Sequence, residues 1–188
     1  MSFVARQLVA FVAAAVVFLP AVAGAADRFI DEVRLGILAH DVTLGGRHLE
    51  TGEDVNGEIL FVSPDFLKFL WAPRPILGFD VNNSGNTDSF YFGLSWEVTA
   101  FRQIFLPADR LFFDLALGGA YQDGYIDNAP PGRKRLGSPI LFREGFDIGY
   151  GFTERISFSV LIDHISNANL GNHNAGITNV GGRMGLKF

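Results

Sequence analysis

The stretch SFYFGLSWEVTAF, Ser89 to Phe101, sets Phe90, Phe92, Leu94, Trp96 and Val98 against Gly93, Ser95, Glu97 and Thr99. In an extended chain successive side chains point to opposite faces, so one face here is large and apolar and the other small or charged. A helical turn of 3.6 residues would scatter both sets around the axis. The segment is therefore read as a strand that is apolar on one side only.

The same alternation recurs on either side of it. Val33, Leu35, Ile37 and Ala39 share one face and Arg34, Gly36 and His40 the other. Val55, Ile59 and Phe61 oppose Asn56 and Glu58, and Leu77, Phe79 and Val81 oppose Gly78, Asp80 and Asn82. Leu111, Phe113, Leu115 and Leu117 oppose Asp114, Ala116 and Gly118, and Phe142, Phe146, Ile148 and Tyr150 oppose Arg143, Gly145, Asp147 and Gly149. RISFSVLIDHIS and TNVGGRMGLKF bring the count to eight. An even set of strands of about ten residues, apolar on one face and polar or glycine on the other, predicts an all-β fold, an eight-stranded antiparallel transmembrane β-barrel. Closure satisfies every backbone group in lipid, which an open sheet cannot do. Eight strands enclose a lumen that side chains nearly fill, so Arg34, Glu58, Asp80, Glu97, Asp114, Arg143 and Asp147 are expected to form an ionic network there. A soluble lipocalin-like barrel would be apolar inside, which these charges oppose.

Bulk properties fit. Of 188 residues 48% are hydrophobic, with 19 Phe and 22 Gly, and the mean hydropathy is +0.24. The net charge of −5 points to no nucleic-acid partner, and without cysteine neither disulfides nor thiolate metal sites are available. MSFVARQLVAFVAAAVVFLPAVAGAAD has a basic residue at Arg6, an apolar centre from Leu8 to Val22 and the small residues Ala23, Gly24 and Ala25. This layout predicts a signal peptide over 1–25, cleaved after Ala25, with residues 26–188 as the barrel. The expected location is the bacterial outer membrane, both termini periplasmic and the odd-numbered links long and extracellular. The fifth link, QDGYIDNAPPGRKRLGSP, is the longest. SPDFLKFLWAPRP is longer than a periplasmic turn needs and reads as an interfacial Phe/Trp segment.

On the seventh strand Ile156, Phe158, Val160 and Ile162 share a face that period two extends to His164 and Ser166, while Ser159 and Asp163 point into the lumen. A crossing of about 9–11 residues puts the pair near the outer boundary of the hydrocarbon. Two polar residues at a strand end are tolerated there. The chemical reading is that His164 takes the proton of Ser166 as its oxygen attacks an ester carbonyl in the outer leaflet.

HISNA, His164 to Ala168, followed by NAGI, Asn174 to Ile177, resembles the lipid A 3-O-deacylase (PagL) family of outer-membrane acyl hydrolases. LGILAHDV near the start adds to the likeness. The resemblance implies Ser166 as nucleophile, His164 as general base, Asn174 at the oxyanion and Asn167 in support, with lipid A of the outer leaflet as substrate and neither metal nor cofactor. Arg133, Lys134, Arg135 and Arg143, placed near the outer rim, are candidates to meet lipid A phosphates. The family places a glutamate twelve residues after the serine; here that position is Thr178, whose hydroxyl can fix the imidazole tautomer but cannot balance its charge. Neither Asp163 nor a nearby Glu is expected on the correct face, leaving Asn172 or Asn174 as other orienting groups. The competing reading is a non-catalytic barrel with a structural or lipopolysaccharide-contacting role. A phospholipase on the same scaffold would call for a calcium site, and no histidines sit at metal-ligand spacing with a carboxylate. His40 is read as a buried, hydrogen-bonded luminal group.

Overall fold

Eight strands follow one another around a closed antiparallel barrel, each hydrogen-bonded to its chain neighbours and the last to the first. They are β1 (Ile30–Ala39), β2 (Glu53–Phe61), β3 (Arg74–Asn82), β4 (Ser89–Arg102), β5 (Arg110–Gln122), β6 (Ile140–Gly151), β7 (Ile156–Ser166) and β8 (Ile177–Lys187). The computed structural model describes residues 28–43 and 47–188. The signal peptide expected over 1–25 lies outside them.

The period-two patterns become two walls. Phe90, Phe92, Val98, Phe113, Leu115, Phe142, Ile148 and Met184 stand exposed on the outside, as hydrocarbon-facing residues must. Inside, Arg34 pairs with Glu32 at 3.0 Å and Asp114 at 2.9 Å, and Arg183 with Asp147 at 2.5 Å and Glu58 at 3.1 Å. Arg74 joins Glu32 at 2.7 Å and Asp114 at 2.9 Å. Buried ions survive only when paired, and most of these pairs join strands that are not neighbours in the wall, with Arg34–Asp114 reaching from β1 to β5 across the lumen. Small residues let the wall close: a Cβ on Gly93 or Gly118 would lie 2.3 or 2.0 Å from a carbonyl oxygen of the facing strand.

The links depart from one expectation. At one end lie 40–43 with 47–52, 83–88, 123–139 and 167–176; at the other lie 62–73, 103–109, 152–155 and both ends of the described chain. The third link, 83–88, is a tight turn rather than a long loop. Asn82 Oδ1 accepts from the backbone N–H groups of Ser84 and Asn86 at 2.9 and 3.1 Å, and Gly85 takes φ +75°. The 62–73 link forms a short 3-10 helix, Asp65–Leu70, that ends where Trp71 turns left-handed at φ 63°. It projects Phe66, Phe69 and Trp71 outward, and Trp96 Nε1 donates to Leu70 O at 2.8 Å to hold it on the wall. The end with short links thus carries its own aromatic girdle.

Candidate active site

β7 alternates between an exposed outer face and a buried inner one along its length. At about 3.4 Å per residue and a tilt of about 40°, His164 stands roughly 21 Å and Ser166 roughly 26 Å above Ile156 along the axis. The apolar band of such barrels is about 25 Å tall. Both side chains therefore emerge from the outer wall where hydrocarbon gives way to headgroups.

Each neighbouring strand places one residue beside the imidazole. His164 faces Thr178 on β8 and Glu144 on β6, so that Glu144, His164 and Thr178 form one row across the wall. His164 Nδ1 lies 2.8 Å from Thr178 Oγ1. With the threonine oxygen accepting, the proton sits on Nδ1 and the Nε2 lone pair is free. Gly176 completes the seat: a Cβ there would lie 2.8 Å from His164 Cε1 and 3.1 Å from Nε2. Nothing in the sequence singles out this glycine except its place inside NAGI. Ser166 is half-buried, faces Phe142 on β6, and forms no hydrogen bond with His164 in the free protein.

A cleft of about 800 Å³ opens over the pair, lined by His164, Ser166, Asn174, Thr178, Arg135 and Arg47 among others. Asn174 Oδ1 accepts from Asn167 N at 3.0 Å, and its Nδ2 donates to Asn169 Oδ1 at 3.1 Å in an exposed contact. Asn167 points away from the cleft and is buried. Its Nδ2 donates to Leu136 O at 2.8 Å and also to His173 O, which pins loop 167–176 to loop 123–139. Asn172 makes no contact with the imidazole among the described residues.

The basic residues expected at the rim divide into two groups. Arg143 is not at the rim. It is buried in the lumen, paired with Asp163 at 2.7 Å and stacked 3.6 Å above the Tyr91 ring, because it alternates with outward-facing Phe142. Lys134 is buried too, tied to Asp41 and to Gly176 O. Arg133 is half-buried against Glu50 at 3.0 Å. Arg135 and Arg47 are exposed on the cleft. The expectation that no Glu occupies the outer face beside the histidine is also overturned. Glu144 lies between Phe142 and Phe146 in sequence and shares their exposed face, a signal present in the same alternation that placed those rings.

Behind the cleft Glu50 gathers the loops. Its carboxylate accepts from Thr87 N at 3.0 Å and Lys134 N at 2.9 Å and faces His40 Nε2 at 3.2 Å, while His40 Nδ1 reaches Asp54 at 2.8 Å. Burial opposes charge on His40, but the two carboxylates outweigh it and raise its pKa to about 9. The imidazolium and its hydrogen bonds in turn hold Glu50 well below the usual carboxylate range, against its own burial. Among the described residues no group of three or more His, Cys, Asp or Glu side chains is arranged to hold a metal ion.

A closed barrel with an apolar outer wall, an ionic lumen and a polar site at one end of the wall defines an outer-membrane β-barrel. The chain belongs to the lipid A 3-O-deacylase (PagL) family, whose model matches residues 71–187 and so takes in β3 to β8 with the whole His164–Thr178 region. One solved structure shares the fold, and two others are similar at lower scores. The outer membrane enzyme PagL is similar over 84% of this chain and 99% of its own, with TM-score 0.60 at 17% identity. Neisserial surface protein A (NspA) gives 0.48 at 11% identity over 88% of this chain and 99% of its own. The N-terminal barrel domain of Pseudomonas aeruginosa OprF gives 0.46 at 12% identity over 85% of this chain and 100% of its own. Among curated proteins, none matches the chain.

Proposed function

We propose that this chain is an outer-membrane serine esterase that removes the acyl chain ester-linked at the 3-position of lipid A. The observation that carries the reading is the outward row at the interface: His164 fixed through Nδ1 by Thr178, with Ser166 on the same face beneath the cleft. An acyl ester of a lipid in the facing leaflet lies at that depth, and family membership supplies the substrate class.

In this reading Ser166 Oγ attacks the ester carbonyl as His164 Nε2 takes its proton. The tetrahedral oxyanion forms beside Asn174, whose Nδ2 leaves its exposed contact with Asn169 to donate to it; one such donor contributes about 10²–10³ in rate. The imidazolium returns the proton to the departing sugar oxygen. Water then repeats the sequence on the acyl-serine and releases the fatty acid. His164 and Ser166 Cα atoms two residues apart on a strand are about 6.7 Å from each other, and their hydrogen bond tightens once substrate fills the cleft. Arg135 and Arg47 stand where phosphates of lipid A would meet the rim.

One observation favours a non-catalytic, lipopolysaccharide-contacting barrel: the residue on Nδ1 is an uncharged threonine. Mass spectrometry of lipid A from cells expressing the wild type or Ser166→Ala decides between the two. The esterase reading expects loss of the 3-linked acyl chain only with the wild type. Identical lipid A from both strains, with both barrels present in the outer membrane, would sink it.

A further inference from the structure

We propose that Glu144 is a positioning residue of the site: its carboxylate balances the charge that forms on His164, the service that Thr178 cannot give. The inference rests on the esterase reading and deepens it. β6 and β7 pair so that Glu144 stands directly across from His164. Cβ atoms of such facing residues lie about 4.5–5.5 Å apart. Glu144 is exposed on the outer wall between Phe142 and Phe146, with Ile162 one outward position below His164 on β7. Among the described residues it enters no ion pair. A lone carboxylate on a hydrocarbon-facing wall is disfavoured unless it has a task or a partner.

The geometry also says how Glu144 acts. Nδ1 is turned to Thr178 on the opposite strand and the ring edge to Gly176, so Glu144 flanks the imidazole rather than holding its tautomer. Thr178 orients; Glu144 supplies the negative charge. At a boundary where water is scarce, an opposite charge at this range stabilises the positive charge that develops on the ring as Ser166 attacks. The other charged groups facing the site are cationic and come from loops across the cleft: Arg47, Arg133, Lys134 and Arg135. Glu144 is not among the cleft residues. It therefore serves the imidazole from the β6 side without confronting an anionic headgroup seated among the arginines. The two functions of a triad acid are thereby divided between the two strands that flank β7.

The test is steady-state deacylation of purified lipid A in detergent by the refolded full-length barrel, with folding checked by heat-modifiable electrophoretic mobility. Glu144→Gln is expected to lower kcat tenfold or more with KM within twofold. Glu144→Asp should retain more activity than Glu144→Gln. Adding Thr178→Glu to Glu144→Gln should restore kcat at least fivefold by returning a carboxylate to the other flank. Full kcat in Glu144→Gln, while Ser166→Ala is inactive, would overturn the role of Glu144 and leave the esterase reading intact. A loss of kcat that neither Glu144→Asp nor the added Thr178→Glu relieves would also overturn it, as a merely structural effect. Wild-type turnover in Ser166→Ala would instead remove the esterase reading on which the inference depends.

Discussion

Gly176→Ala probes the seat of the imidazole with a single methyl group. The added Cβ would lie 2.8 Å from His164 Cε1, 2.9 Å from Ile165 O and 3.1 Å from His164 Nε2. The Ile165 carbonyl belongs to the β7 backbone and cannot yield. Gly176 does not occupy the left-handed region, so alanine suits its backbone and the effect arises from the contact alone. Restoring an ordinary separation of about 3.6 Å at Cε1 requires the ring to move by roughly 0.8 Å, which breaks the 2.8 Å bond to Thr178 and turns Nε2 away from Ser166. Displacement of a catalytic group by about 1 Å costs on the order of a hundredfold in rate. Overpacking in a loop that can partly yield costs about 1–3 kcal/mol of stability, well short of unfolding the barrel. The expected result is kcat lowered about a hundredfold, a folded barrel by heat-modifiable mobility, and KM within threefold. Turnover within twofold of wild type would show that the ring does not sit against Gly176 during catalysis.

Two further outcomes are expected from the same geometry. Thr178→Val keeps the shape and removes the acceptor on Nδ1; a neutral hydrogen bond of this kind contributes about 0.5–1.5 kcal/mol, so kcat should fall roughly 3- to 10-fold, and an unchanged kcat in the same lipid A assay would mean that another group sets the tautomer. The His40–Glu50–Asp54 cluster should make loop 123–139 sensitive to alkali. His40 is raised from 6.5 to about 9, so its contribution, of order 3 kcal/mol, is complete below pH 6.5 and is lost as pH rises through 9. Limited trypsinolysis at Arg133, Lys134 and Arg135 should accelerate between pH 8 and 10 relative to an unfolded control peptide, and a flat ratio over that range would refute the linkage.

The barrel was legible because its signal is repetitive. Each strand contributes a weak period-two pattern, and eight in succession leave few architectures that satisfy both faces. The same pattern carried His164 and Ser166 to the outer wall, since a strand holds its phase until it ends. Arg143 and Glu144 are adjacent in sequence and had to lie on opposite faces. Phase had already placed Arg143 in the luminal network with Asp147, and the second expectation, which brought it to the rim, weighed its charge alone. Phase alone, counted from Phe142, puts the arginine in the lumen and the glutamate outside. The partners of the site follow a different logic. That Thr178 and Glu144 flank the same histidine depends on register, which is set jointly by loop lengths and hydrogen bonding around the closed sheet. The Glu50 hub joins residues that no local pattern connects, and the short third link shows how turn chemistry in NNSGN outranks the general rule for loop lengths.

The filled lumen and the outward site are two consequences of one constraint. Eight strands leave an interior wide enough only for side chains, and here Arg34, Arg74, Arg143 and Arg183 with their carboxylates occupy it. Breaking such a buried pair leaves an unbalanced ion and costs about 3–5 kcal/mol, so the interior resists rearrangement to admit a substrate. A lipid-sized ligand can reach this protein only from the membrane or across the loop end. The pleat carries the rigidity of the lumen to the outside: Asp163, clamped by Arg143, and His164 are consecutive residues on opposite faces of β7. Likewise Arg143 itself precedes Glu144 on β6. The inner ion pair therefore fixes the two backbone positions from which His164 and Glu144 project, and a mobile acyl chain in the leaflet meets side chains held from inside the barrel.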